Sequence, residues 1–182
     1  MIAKKVCGAL VAFAGLILMV PGAVPTRADD GCNILVEATK KEMTSPSHIY
    51  STTTAAYLHG KTETGEVIYA GGPDGAIFVR ILGKWKRSPV NAAAMLKQEE
   101  ENRRAAKMTC HYLRAEAVNG ETAAVYSVHT ETEDAEVDST IWISKSKGLP
   151  LKQELDMDMG GTMGKSHKSM RCEYTNVKPP QV

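Results

Sequence analysis

The clearest pattern in the chain runs from Leu151 to Met159. Leu151, Gln153, Leu155, Met157 and Met159 alternate with Lys152, Glu154, Asp156 and Asp158. A period of two with one apolar side predicts a half-buried antiparallel strand. Similar segments precede and follow it: Met108–Val118, Thr122–Thr132, Ser139–Lys145 and Lys165–Tyr174, joined by short turns at Asn119-Gly120, Glu133–Glu136, Gly148-Leu149-Pro150 and Gly160-Gly161. Connections this short make neighbouring strands antiparallel, because parallel pairs need long crossovers. Asn-Gly is a strong hairpin signal. Upstream, strands are predicted at Ser47–Leu58, Glu66–Ala70, Ala76–Leu82 and, briefly, in Gly83–Pro89. The stretch Ala76–Leu82 is apolar on both sides, so something should cover each face.

Two helices interrupt the strands. Asp30–Met43 places Ile34, Leu35, Ala38 and Met43 near one face, with Asp30 as a cap and Ser45-Pro46 as a stop. Pro89–Lys107 follows a Ser88 cap, carries a small stripe of Val90, Ala93, Ala94 and Leu96, and pairs Glu99 with Arg103 and Glu100 with Arg104. So modest an apolar anchor predicts a loosely held lid. The fold class expected is α+β: a curved antiparallel sheet of about eight or nine strands with an N-terminal helix and this middle helix.

Residues 1–28 have the three parts of an export signal: Lys4 and Lys5, an apolar run from Val6 to Val20, and Thr26-Arg27-Ala28 ending in a small residue. Fifteen apolar residues fall short of the roughly 20 that span a bilayer. We therefore expect cleavage near Ala28, a single domain over 29–182, no transmembrane segment after cleavage, and a periplasmic location. Charge then changes sign. The chain has 22 basic and 21 acidic residues; Lys4, Lys5 and Arg27 leave with the signal, so 19 face 21. A slightly acidic protein argues against a nucleic-acid partner. Lys84–Arg87 (KWKR) is too short a basic run to change that, and reads as a packed Trp85 with exposed charges.

Three cysteines remain after the signal and its Cys7, so at least one is free or pairs between molecules. Cys172 alternates with Met170 and Tyr174 on an apolar strand face, where a free thiol acts as a small hydrophobe. Cys32 and Cys110 are the preferred disulfide. Enzyme signatures are missing: there is no HExxH, G-x-S-x-G, P-loop or C-x-x-C. His48, His59, His111, His129 and His167 are scattered singly, without metal-ligand spacing. No catalytic residue and no cofactor are expected.

The run Trp142-Ile143-Ser144 followed by Gly148-Leu149-Pro150-Leu151-Lys152-Gln153-Glu154 resembles the C-terminal hairpin of the LolA/LolB-like lipoprotein-sorting families. Gly83-Lys84-Trp85, after a strand and before a helix, is similar to another of their elements. The resemblance implies a half-barrel whose apolar hollow receives acyl chains of a lipid or acylated protein, with Arg80 as the positional match for an arginine that anchors the lid. Candidate ligand-lining residues are Phe78, Arg80, Trp85, Leu96, Tyr126, Trp142, Leu155, Met157, Met170 and Tyr174. Two other readings stand beside this one. Met157, Met159, Met163, His167 and Met170 combine thioethers with imidazole, a donor set suited to Cu(I). Open sheet edges could instead serve protein contacts in the envelope. The oligomeric state is not legible.

Overall fold

The computed structural model describes residues 28–182 apart from 60, 73–74 and 162–163. The expected export signal and Cys7 lie outside these residues. A helix α1 (Ala28–Thr44) leads into nine strands: β1 (Ser47–Ala55), β2 (Thr62–Tyr69), β3 (Ile77–Ile81), β4 (Lys84–Arg87), β5 (Lys107–Val118), β6 (Glu121–Glu131), β7 (Glu136–Ser144), β8 (Pro150–Asp158) and β9 (Lys165–Glu173). A second helix α2 (Ala92–Ala105) lies between β4 and β5.

All nine strands form one open, curved antiparallel sheet in the order β4-β3-β2-β1-β9-β8-β7-β6-β5. The expected α+β architecture and strand count are observed. Every connection but one is to a spatial neighbour, the exception being the helical crossover from β4 to β5. The last strand, β9, returns to pair with β1 along eight partners, from His48 with Glu173 to Ala55 with Ser166. The β5–β6 hairpin turns on Asn119 and Gly120, both with positive φ (51° and 81°), the backbone that a two-residue turn of this hand requires.

One face of the sheet carries the helices. Leu35 and Ala38 of α1 pack on Cys110, Ala124, Tyr126, Val128 and Ile143. Met43, the penultimate residue of the helix, packs with Tyr69 and Ile77, joined by Ile49, Val67, Val79 and, from α2, Met95 and Leu96. The buried stripe of α1 is thus Leu35, Ala38 and Met43, whereas Ile34 points out at 42% exposure. Glu42, one residue before Met43, also faces the sheet, where it meets Cys172. A disulfide joins Cys32 to Cys110, as expected, and Cys172 is free.

The second helix starts later than its sequence predicts. Asn91 is the cap, its Oδ1 accepting from the Ala94 N–H at 2.9 Å, while Ser88 Oγ accepts from the Val90 N–H in the preceding turn. Ala92, Met95 and Leu96 form its inner edge, and among its residues only Ala92 is buried. Val90 and the alanines 93 and 94 are exposed. Glu100 holds both Arg103 (2.8 Å) and Arg104 (3.0 Å), so the predicted Glu99–Arg103 pair is replaced by an i,i+3 contact.

Closing the 78-residue separation between Cys32 and Cys110 removes unfolded-chain entropy equivalent to about 4–5 kcal/mol, and less where native packing already restrains the ends. Replacing both cysteines by serine should lower the unfolding free energy by about 2–5 kcal/mol, measured by urea denaturation. The same loss should follow reduction of the wild-type protein.

Candidate functional site: an apolar cavity under two helices

Between α1, α2 and strands β5–β8 lies a cavity of about 650 Å³, within the ~300–1,000 Å³ typical of ligand pockets. Its walls are Leu35 and Val36 of α1 and Leu96 of α2; its floor is Met108, Val128, Val137, Ile141 and Leu155. The floor residues share a face because β6, β7 and β8 pair Val128 with Ser139, Tyr126 with Ile141, and Ser139 with Leu155. Glu37, Lys40, Glu99, Glu100 and Arg103 form a charged rim. Lys40 pairs with Glu37 at 3.2 Å and Arg103 with Glu100 at 2.8 Å, so four of the five rim charges are compensated in pairs while the floor is greasy. Such a site holds an apolar body by burial and places few polar demands on it.

Of the ten residues predicted to line the hollow, the structure brings two to it, Leu96 and Leu155. Tyr126, Met157 and Met170 share the helix-bearing face but lie outside the lining, and Tyr174, just past β9, packs against the cluster of Val125, Trp142 and Leu151. Tyr126 is buried against the cluster around α1. Met157 and Met170 sit opposite Val137 and Gln153.

The remaining four are on the outer face. Phe78 opposes Ile68, and both are buried there. Arg80 ion-pairs with Glu66 and donates from Nε to the Gly83 carbonyl at 3.3 Å; it touches neither helix and anchors no lid. Its cross-strand partner is Trp85, whose ring meets His48 edge-on at 5.8 Å. Trp142 donates its indole N–H to Glu116 and lies under the Lys152 ammonium, 4.6 Å from the ring centroid. Its partners Val125 and Ala123 are fully buried beside it. These residues seal the outer surface.

Sequence reasoning missed Val36, Met108, Val128 and Val137. The run Ile141-Trp142-Ile143 hid the answer, since either phase buries a large group. The shared alternation of Val137, Ser139 and Ile141 is the signal that would have chosen it. The Cu(I) grouping fares differently: Met157 opposes Ser166 while His167 opposes Asp156, so alternation puts the imidazole and the thioethers on opposite faces. Met163 lies outside the described residues.

Beside the cavity, Glu42 points into the sheet. Its carboxylate accepts from Cys172 Sγ at 3.0 Å, and the neighbouring Tyr174 hydroxyl donates to the Pro150 carbonyl at 2.6 Å. Burial pushes the Glu42 carboxyl above its ordinary value, against the pull of contacts with Cys172 and Tyr174. Burial, then the Glu42 charge, pushes the Cys172 thiol up and takes Tyr69 to about 12. So protonated a thiol is unreactive.

No protein-family model matches the chain, and no curated protein matches it significantly. Among solved structures the chain is similar to MucB, solved in complex with MucA(peri), with 16% identity, 81% of this chain and 56% of that chain covered, and a TM-score of 0.45. It therefore spans just over half the length of that protein. It is also similar to LprF from Mycobacterium bovis (8% identity, 84% and 97% covered, TM-score 0.43) and to LolA superfamily protein NE2245 from Nitrosomonas europaea (11%, 79% and 91%, 0.28). A LolA superfamily protein, of the families the sequence resembles, stands among these matches.

The sign of the Glu42 effect on stability follows from linkage. A carboxyl whose folded pKa is raised holds its proton more tightly in the folded chain, so its contribution is full below about pH 4.5 and is lost as pH climbs through the raised value. Glu42→Gln should keep the melting temperature level across that interval where the wild type declines. Parallel melting profiles for the two proteins would show that Glu42 does not titrate anomalously.

Proposed function

We propose that the protein is an exported, non-catalytic binding protein for an apolar ligand of the acyl-chain class, held in the cavity under α1 and α2. The observation that carries this reading is the composition of that cavity: an open hollow of about 650 Å³ with an aliphatic and thioether floor. Apolar contents are held in such a hollow by burial, at about 25 cal/mol per Å² of apolar surface removed from water. The lid supports the same reading. Helix α2 buries Ala92 alone, so displacing its C-terminal half exposes little and opens the rim. Export rests on residues 1–28, and a periplasmic location follows from it; N-terminal sequencing of the secreted chain, with cleavage near Ala28, checks that step.

A fluorescent fatty-acid probe tests the binding. The oxidised protein should take up one equivalent saturably, with the emission change of transfer into an apolar site. Leu155→Arg puts a charge on the cavity floor and should weaken uptake about tenfold or more, since an unpaired buried charge costs several kcal/mol. Met159→Arg, at a position already 39% exposed, should leave it unchanged. Melting curves of each variant separate lost binding from lost folding. Absence of saturable uptake, or equal uptake by a folded Leu155→Arg protein, would sink the proposal.

A further inference from the structure

On the outer face, strand register assembles a set of side chains that are far apart in sequence. His129 of β6 faces Asp138 of β7, which faces Asp156 of β8, which faces His167 of β9. One row away, Glu131, Glu136 and Asp158 face each other in the same succession. Three of these pairings set carboxylates directly opposite one another: Glu131 with Glu136, Glu136 with Asp158, and Asp138 with Asp156. Like charges so placed destabilise a sheet. Lysines attend only the margins, Lys107 at Glu131 (3.4 Å) and Lys165 at Asp158 (3.9 Å). Among the described residues, no lysine or arginine ion-pairs with Glu136, Asp138 or Asp156; their partners are imidazoles.

The geometry at His129 is that of a chelate. Its Nδ1 stands 2.9 Å from Asp138 Oδ1 and 4.0 Å from Glu136 Oε1, and one donor atom from each of the three side chains lies within 4.8 Å of the others. Donors bound to one zinc at ~2.0–2.2 Å are separated by about 3.3–3.5 Å when tetrahedral. Half-exposed side chains reach that spacing by small rotations. A depression of about 240 Å³ opens beside them, lined by His129, Asp138, Glu154 and Asp156 among others, leaving room for water or a fourth donor. A His129–Asp138 hydrogen bond alone accounts for those two groups. It leaves Glu136 with His129 only at 4.0 Å, and it leaves the Asp138 and Asp156 carboxylates directly opposite one another with a single imidazole on each.

We propose that His129, Glu136 and Asp138 bind a zinc-class divalent cation, with Asp156 on its open side. Imidazole with carboxylates suits Zn²⁺, Ni²⁺ or Cu²⁺; all-oxygen sets suit Mg²⁺ and Ca²⁺, and thioethers suit Cu(I). A cation there neutralises the inner carboxylates and ties β6 to β7. The site is independent of the apolar cavity on the other face.

The test is calorimetric titration of zinc chloride into the metal-free, disulfide-bonded protein in a non-coordinating buffer near neutral pH. One equivalent should bind with micromolar affinity, undiminished by a large excess of Mg²⁺. His129→Ala and Asp138→Asn should each weaken binding about tenfold or more, and His59→Asn should leave it unchanged. Both ligand positions are exposed enough to vary without unfolding the chain, and melting curves of the metal-free variants confirm it. Zinc should raise the wild-type melting temperature and leave that of His129→Ala where it was. No saturable binding, binding that survives in His129→Ala, or equal competition by Mg²⁺ would overturn the proposal.

Discussion

The pairing of β9 with β1 is the constraint on which the molecule depends. It joins residues more than a hundred positions apart, Ile49 beside Cys172, and so makes one sheet of what would otherwise be a four-stranded piece and a five-stranded one. The entropy of closing so long a loop grows only with the logarithm of its length. An eight-partner ladder and the apolar groups along it can offset that cost. Helix α1 then braces the seam. Its N-terminal part is bonded to β5 through Cys32 and Cys110, its middle packs on β6 and β7, and its last turn reaches β1, β2 and β9 through Met43 and Glu42.

A single helix of 17 residues is about 25 Å long and cannot cover the inner face of nine strands. The second helix contributes little more than Met95 and Leu96 to the core. What stays uncovered is floored by Val128, Val137, Ser139 and Leu155, side chains too small to fill the space. The one phenylalanine outside residues 1–28, Phe78, is on the other face. Hollowness here comes from side-chain size as much as from curvature.

The existence of the strands and their antiparallel order were legible because alternation and short turns are local, whereas β2 and β7 begin earlier than expected, at Thr62 and Glu136. The Leu151–Met159 strand, the Asn119-Gly120 hairpin and the Cys32–Cys110 pairing all appear where the residues placed them. What was not legible depends on which of two faces meets the helices. Ile77-Phe78-Val79 is apolar in both phases, so Phe78, Arg80 and Trp85 were assigned to the wrong side. Trp142 between two isoleucines failed for the same reason. Glu42 broke the stripe of α1, since a carboxyl on a core-facing position is costly unless its partners, here Cys172 and Tyr174, are already known. The outer histidines looked solitary because their proximity exists only in the register of four strands.

That register also explains how one sheet can carry an apolar floor on one face and ionic rows on the other. Val128 precedes His129, Val137 precedes Asp138, and Leu155 precedes Asp156, so the apolar floor and the ionic rows are adjacent residues of the same strands. Alternation sends one member of each pair under the helices and the other into solvent. The strands between are hydrogen-bonded on both sides from β6 to β9, and spreading them would break ladders. Helix α2 has no such bonds to lose along its C-terminal half. Entry to the cavity is therefore a property of the helix, while the sheet beneath it keeps both faces in fixed relation.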